Sequence, residues 1–95
     1  MLLERIGRAA MLEQVAEECS ELAHACLKYA RYLRNENPTN KNIIDIQTNL
    51  EEEAADVKIC LKELEAGGLI NKDNVSEWKE KKIDRMAERF KQKFS

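Results

Sequence analysis

Apolar side chains recur at alternating intervals of three and four residues along two long stretches of this chain, and this period limits the possible folds most. Such a period places apolar side chains in one stripe along a helix. We therefore predict two long amphipathic helices, over about residues 8–34 and about residues 43–66. The stripe of the first comprises Leu12, Val15, Cys19, Leu22, Cys26, Tyr29 and Leu33. The stripe of the second comprises Ile43, Ile46, Leu50, Val57, Cys60 and Leu64.

Residues that interrupt helices lie between and after these two stretches. The single proline, Pro38, lies in an asparagine-rich segment over residues 35–42, where the side chains favour turns and N-caps. Gly67 and Gly68 predict the end of the second helix, because glycine adopts left-handed backbone angles without steric cost. A short helical segment is expected before Gly7.

A third helix is expected over about residues 74–93, with Asp73 or Asn74 as its N-cap. The long helices carry more apolar surface than three helices of one chain can cover, so we expect copies of the chain to pair. The predicted fold is all-α, with two long antiparallel helices plus a third C-terminal helix. It forms a single domain over residues 1–95 and assembles into a helical-bundle homodimer or homotetramer. The apolar side of the third helix comprises Val75, Trp78, Ile83, Met86, Phe90 and Phe94.

Composition supports a small helical domain without a membrane span. There are one proline and three glycines in 95 residues, and no run of eighteen apolar residues or secretory leader is seen. The three cysteines, Cys19, Cys26 and Cys60, form no CxxC pair, so we expect reduced core residues of a cytoplasmic protein.

Charge is distributed unevenly along the chain. Residues 1–70 have 13 acidic and 8 basic side chains (net −5), and residues 71–95 have 5 and 8 (net +3). This asymmetry suits a metal site beside an anionic ligand, and a simple charge match between helices equally well.

A carboxylate occupies one position of the second apolar stripe. Continuing the count from Leu50 to Val57 reaches Glu53, where an aliphatic side chain is due. An ionised carboxylate buried without a partner costs several kcal/mol, so such groups are usually paired, protonated or bound to a cation. Asp56 lies three residues further on and therefore shares a face with Glu53.

The first helix carries a matching pair, Glu18 and Glu21, also three residues apart. In an antiparallel hairpin the two pairs would converge, and their mutual repulsion would favour protonation or a bound cation. Oxygen ligands without histidine or cysteine favour Mg²⁺, with Mn²⁺ as its substitute. Acidic pairs are also common on solvated helix faces that form salt bridges with lysines, and the residues alone leave both interpretations open.

Two acidic segments resemble known motifs. Residues 17–22 (EECSEL) followed by residues 52–57 (EEAADV) resemble the EExxE and ExxD motifs of the MazG-like all-α nucleoside triphosphate pyrophosphohydrolases. Helix order and motif order agree over nearly the whole chain. Residues 81–90 (KKIDRMAERF) resemble the basic third-helix motif KLxxNxxR of small members. Met86 stands where many relatives carry asparagine, and the connection between the acidic motifs is longer than in the most compact members.

This resemblance implies an enzyme that cleaves a nucleoside triphosphate between its α and β phosphates, releasing the monophosphate and pyrophosphate. Such enzymes clean or control nucleotide pools. By motif, the magnesium ligands would be Glu18, Glu21, Glu53 and Asp56, and one of these carboxylates would be the general base. Glu17 and Glu52 could support these ligands. Phosphate contacts are expected from Lys82 and Arg89.

Two other functions are compatible with the sequence. One is a non-catalytic helical oligomerisation module, in which the acidic residues only form interhelical salt bridges. The other is a nucleic-acid binder that uses the basic third helix. The negative net charge and the lack of a recognition motif argue against nucleic acid as a partner. Neither nucleic acid nor a membrane is therefore expected to be a partner.

Overall fold

The computed structural model describes residues 2–36 and 42–94, and within these ranges the chain is all-helical, without strands. The all-α class is therefore confirmed, and both long helices lie within one residue of the predicted bounds. No helix in the described ranges is long and apolar enough to cross a membrane. The four helices are α1 (Leu2–Ile6), α2 (Arg8–Leu33), α3 (Ile43–Ala66) and α4 (Lys72–Phe94).

Helices α2 and α3 pack side by side as an antiparallel hairpin, and α1 closes one end of it. At that end Leu3 and Met11 form a buried apolar cluster with Cys60 and Leu64 of α3. Among the residues whose side chains the structure describes, Met11 and Ile46 are the two large ones that are fully buried. The core therefore lies along the seam between α2 and α3, as expected when two amphipathic helices bury facing stripes.

The inward face of α3 matches the predicted stripe, but that of α2 is rotated. In α3, Ile46, Cys60 and Leu64 are buried, and the other predicted members are half-buried. In α2 the buried side chains are Met11 and Ala25. Four side chains predicted to be core residues are instead exposed, namely Leu12, Cys19, Cys26 and Leu33.

The cause of this error is that α2 carries two neighbouring apolar stripes. The stripe that faces α3 contains Met11, Val15, Leu22, Ala25 and Tyr29, whereas Leu12 begins a second stripe about 100° further around the helix. Periodicity alone does not decide which of two such stripes packs inward. The prediction that all three cysteines are core residues is therefore wrong for two of them, although all three thiols are free.

Side chains and glycines define the ends of the helices. The Asn42 carboxamide accepts a hydrogen bond from the Asp45 N–H (2.9 Å) and caps α3. At the other end of α3, Gly68 has a φ of 75°, and the Leu69 N–H donates to the Leu64 carbonyl (2.9 Å). Together with a hydrogen bond from the Gly68 N–H to the Glu65 carbonyl (3.2 Å), this bond forms a Schellman motif, which confirms the predicted end of the helix at the glycine pair. The predicted turn around Pro38 lies outside the described residues.

Helix α1 rests on the last turns of α3. The Glu63 carboxylate accepts hydrogen bonds from the Leu2 N–H (3.1 Å) and the Leu3 N–H (3.4 Å). A Cβ atom at Gly67 would overlap the Cδ2 atom of Leu3, so a side chain at Gly67 would displace Leu3. The glycine therefore allows the two helices to approach closely.

Helix α4 begins earlier than predicted and, over residues 72–93, contributes no buried side chain. The Asn71 carboxamide accepts from the Asn74 N–H (2.9 Å), so Asn71 is the cap, and the prediction of Asp73 or Asn74 is wrong. All side chains described in α4 are exposed. Trp78, on the predicted apolar side of this helix, is 53% exposed, and the Lys81 ammonium lies 5.1 Å from the centre of its ring.

Candidate functional site

Two glutamates occupy positions in the apolar seam of the hairpin. On α3, Glu53 continues the inward face between Leu50 and Val57, as the sequence predicted. On α2, Glu18 lies between Val15 and Leu22 in the stripe that faces α3. Both glutamate side chains are half-buried. Helical spacing therefore turns both carboxylates toward the opposite helix at the same level of the hairpin.

Three carboxylates meet at this level. One oxygen each from Glu18, Glu53 and Asp56 lies within 4.8 Å of the others, with Asp56 on the exposed side. The Oε2 atoms of Glu18 and Glu53 are buried and have no hydrogen-bond partner. Because buried polar atoms are nearly always hydrogen-bonded, two orphaned oxygens in one place require an explanation.

Glu21 lies at the edge of this group. Its carboxyl group is exposed, yet it is close enough to Glu53 for a hydrogen bond when one of the two is protonated. We call Glu18, Glu21, Glu53 and Asp56 the carboxylate cluster. The structure thus brings all four predicted residues to one region, three of them within the range of a shared ligand.

The local field disfavours negative charge on two of these groups. Burial raises the pKa of Glu18 above its ordinary value of 4.5, and the charges of Glu21 and Asp56 raise it further. The charge of Glu53 is the main cause that raises the pKa of Glu21, with partial burial adding to it. Burial also raises the pKa of the Cys60 thiol, which lies near Glu18 and Asp56. These shifts are the expected result of crowding like charges.

No base neutralises the cluster within the described part of the chain. There, none of the four carboxylates forms a salt bridge with lysine or arginine, and the side chain from outside the cluster that donates to it is a neutral amide. That donor is Gln14, whose Nε2 atom lies 2.9 Å from the Oε1 atom of Glu18. An all-oxygen cluster of this charge can hold a hard divalent cation or share protons between its members.

The other predicted site residues lie away from the cluster. Glu17 and Glu52 are exposed, and the charge of Glu17 helps to raise the pKa of Glu18 and Glu21. Lys82 and Arg89 are exposed on α4, and neither forms a salt bridge with a cluster carboxylate in the described chain. The hairpin therefore provides the acidic part of the predicted site, but not the basic part.

Sequence reasoning missed two features of the cluster. The stripe predicted for α2 does not include Glu18, whereas Glu18 is a member of the stripe that faces α3. The prediction also assigned no role to Gln14, although a glutamine four residues before a glutamate on a helix is spaced for a hydrogen bond. Testing each candidate stripe of α2 against the stripe of α3 could have revealed both features.

Comparisons with protein-family models, with curated proteins and with solved structures found no match. The functional argument therefore rests on the geometry of the cluster and on the motifs in the sequence.

Proposed function

We propose that this protein is a magnesium-dependent nucleoside triphosphate pyrophosphohydrolase, which converts a (d)NTP into the monophosphate and pyrophosphate. The observation that supports this most is the meeting of Glu18, Glu53 and Asp56 within 4.8 Å, with two orphaned oxygens and no neutralising base among the described residues. The resemblance of residues 17–22 and 52–57 to the acidic motifs of the MazG-like enzymes supports the same reaction class.

The donor set fits a magnesium ion. Mg²⁺ takes oxygen ligands and is usually held by a few carboxylates together with water and phosphate oxygens. Glu18, Glu53 and Asp56 would hold it, and Glu21 would complete the acidic set. A bound ion would supply neutralisation of phosphate charge and a lower pKa for the attacking water.

The carboxylates themselves have two tasks in this proposal. Glu18 and Glu53 project from rigid helices, which fixes the position of their oxygens relative to each other. A carboxylate of the cluster also accepts the proton of the attacking water, as general-base catalysis requires a group within hydrogen-bond reach. Lys82 and Arg89, seven residues apart on one face of α4, would bind the phosphates once α4 approaches a cluster.

The competing function, an oligomerisation module whose acidic residues form interhelical salt bridges, has less support. In the described part of the chain no such salt bridge involves the cluster, and two of its oxygens have no partner. Repelling carboxylates in a seam lower stability, so they are costly in a module that only needs to assemble.

The test is to incubate the purified protein with each (d)NTP and Mg²⁺ and to measure release of monophosphate and pyrophosphate. We expect Glu53→Gln or Asp56→Asn to lower kcat/KM at least about 100-fold, since each removes a charged ligand. Glu51→Gln is the matched control, because it is the same change at an exposed position of α3 outside the cluster. Circular dichroism must show unchanged helix content in all variants.

Two outcomes would refute the proposal. One is a folded protein that is inactive on every (d)NTP with either Mg²⁺ or Mn²⁺. The other is activity that Glu53→Gln leaves at the level of Glu51→Gln.

A further inference from the structure

The two oxygens of the Glu18 carboxylate have different surroundings. The Oε1 atom accepts a hydrogen bond from the Nε2 atom of Gln14, at 2.9 Å. The Oε2 atom is buried and has no hydrogen-bond partner. One oxygen of Glu18 is therefore engaged within α2, whereas the other is left for a ligand of the carboxylate cluster.

The amide of Gln14 orients the carboxylate of Glu18. Gln14 precedes Glu18 by four residues, so the two side chains lie on one face of α2. Both side chains are half-buried, and a hydrogen bond shielded from water is stronger than an exposed one. At metal sites, hydrogen bonds from residues outside the ligand set fix the orientation of the ligands. The position of Gln14 suits this task.

The donor is neutral, which matters for a site that holds a cation. Lysine or arginine at position 14 could donate to Glu18, but the positive charge would repel a bound cation. An apolar residue would leave both oxygens of Glu18 free to turn. Glutamine avoids both problems, because its amide donates a hydrogen bond and carries no charge.

A carboxylate that presents one oxygen suits Mg²⁺ better than Ca²⁺. Mg²⁺ requires octahedral ligands at roughly 2.1 Å, so neighbouring ligand oxygens lie roughly 3.0 Å apart. The two oxygens of one carboxylate are closer together than that, and they do not fit neighbouring octahedral positions. Ca²⁺ is larger and more flexible in geometry, and it accepts carboxylates through one or both oxygens. Fixing one oxygen of Glu18 therefore disfavours the larger ion.

The pair differs from the glutamine–glutamate pairs that support exposed helices. On an exposed face, water would hydrate the second oxygen of the glutamate. Here that atom is buried, and one oxygen of Glu18 lies within 4.8 Å of oxygens from Glu53 and Asp56. A buried oxygen without a partner needs a ligand to complete its bonding.

We infer that Gln14 is a positioning residue, which holds Oε1 of Glu18 so that only Oε2 is presented to a divalent cation, and thereby favours Mg²⁺ over Ca²⁺. The inference rests on the magnesium site of the proposed function, but it requires neither a nucleotide nor hydrolysis. Metal binding and hydrolysis are measured separately, so failure of the inference is distinguishable from failure of the proposed enzyme.

The first test is isothermal titration calorimetry of the full, metal-free chain with Mg²⁺ and, separately, with Ca²⁺. Gln14→Met removes the donor and keeps the length of the side chain. It should raise the Kd for Mg²⁺ about 10–100-fold, as loss of such a hydrogen bond does at other metal sites. The Kd for Ca²⁺ should rise less, because Ca²⁺ can use the freed oxygen as well.

The matched control is Gln47→Met, the same change at an exposed position of α3 outside the cluster. It should leave both Kd values unchanged. Loss of a merely structural contact would weaken both ions alike, whereas loss of the positioning contact changes the ratio of the two Kd values. Circular dichroism of each variant shows whether its helix content is that of the wild-type protein.

A second measurement needs no variant and therefore does not depend on how Gln14→Met folds. In NMR spectra of the wild-type chain, the side-chain amide protons of Gln14 should exchange with solvent more slowly than those of Gln47. This slow exchange should persist at saturating Mg²⁺, because the hydrogen bond to Oε1 remains while Oε2 binds the ion.

Three results would overturn the inference. One is a wild-type chain that binds neither ion. Another is a Gln14→Met variant in which the ratio of the two Kd values is that of the wild-type protein. The third is a Gln14 amide that loses its slow exchange when Mg²⁺ binds. In contrast, a chain that shows the expected metal binding but hydrolyses no (d)NTP would refute the proposed enzyme and support the role of Gln14.

Discussion

Two levels of the α2–α3 seam lie on the same stripes of the two helices but differ in their side chains. One level is apolar, and the other carries carboxylates. At the end closed by α1, Met11 meets Cys60 and Leu64 and the space is filled by apolar atoms. About two turns along, Glu18 and Glu53 occupy equivalent inward positions and leave two oxygens without hydrogen bonds. Helical period therefore determines which side chains face each other, whereas residue chemistry determines whether that meeting stabilises the fold. Costly groups kept at one level suggest a function for that level.

The largest effect is expected at the apolar level. Met11→Ala should lower the free energy of unfolding by about 2–5 kcal/mol, because Met11 is fully buried and truncation leaves a cavity. The measurement is urea denaturation followed by circular dichroism. Ile59→Ala, at an exposed position of α3, should cost much less. Equal costs for the two variants would mean that the apolar level is not the main source of stability.

The close approach at Gly67 gives the next largest effect. Gly67→Ala should destabilise the protein by about 1–3 kcal/mol, since the new methyl group would overlap Leu3. In a Leu3→Ala background the same substitution should cost clearly less, because the overlap is gone. A double-mutant cycle with these two changes measures that coupling. Additive costs would show that Leu3 is not the obstacle.

In the carboxylate cluster we expect a substitution to raise the stability of the fold, whereas the two substitutions above lower it. Without divalent metal, Glu53→Gln should raise Tm, because it removes one of several repelling charges. Adding Mg²⁺ should raise the Tm of the wild-type protein more than that of Glu53→Gln, since a ligand that binds only the folded state stabilises it. Differential scanning calorimetry gives both values. A fall in Tm on Glu53→Gln would instead indicate a stabilising interaction of this carboxylate.

The smallest effect that we expect is a pH dependence of stability, which arises from Glu18 in the carboxylate cluster. Because the pKa of Glu18 is raised in the folded state, the native protein binds more protons than the unfolded chain above pH 4.5. The stability that this group supports is present below pH 4.5 and is lost as pH rises through the raised pKa. Glu18→Gln removes this titration. The Tm of Glu18→Gln should exceed that of the wild-type protein by least near pH 4.5 and by more toward pH 7. A Tm difference that stays constant with pH would contradict the raised pKa of Glu18.

The sequence predicted the helices well because their signals are local. The bounds of α3 follow from the Asn42 cap and the glycines at 67 and 68, and the inward position of Glu53 follows from counting along one helix. The inward face of α2 could not be predicted from the periodicity of α2 alone, since two apolar stripes compete and only the fit to α3 decides between them. The exposure of α4 within one chain could not be predicted either. An apolar stripe indicates that a surface is buried, but it does not indicate which partner buries it.

For the carboxylate cluster, spacing was sufficient to predict that the side chains meet, whereas metal binding stays a prediction. Two acidic pairs three residues apart, on helices joined by a short connection, had to meet if the hairpin was antiparallel. The spacing of Gln14 and Glu18 also permits their hydrogen bond within α2. The orphaned oxygens, in contrast, depend on side-chain rotamers and on the exact level at which the helices pack, which sequence spacing does not contain.

The contact of α1 with the end of α3 has a consequence for the order of folding. Leu2 and Glu63 are 61 residues apart, so docking of α1 closes a long loop that contains both α2 and most of α3. Closing such a loop is entropically expensive until α2 and α3 have already brought its ends together. The N-terminal turn should therefore dock last and open first, and its amide protons should exchange with solvent well before those of the hairpin.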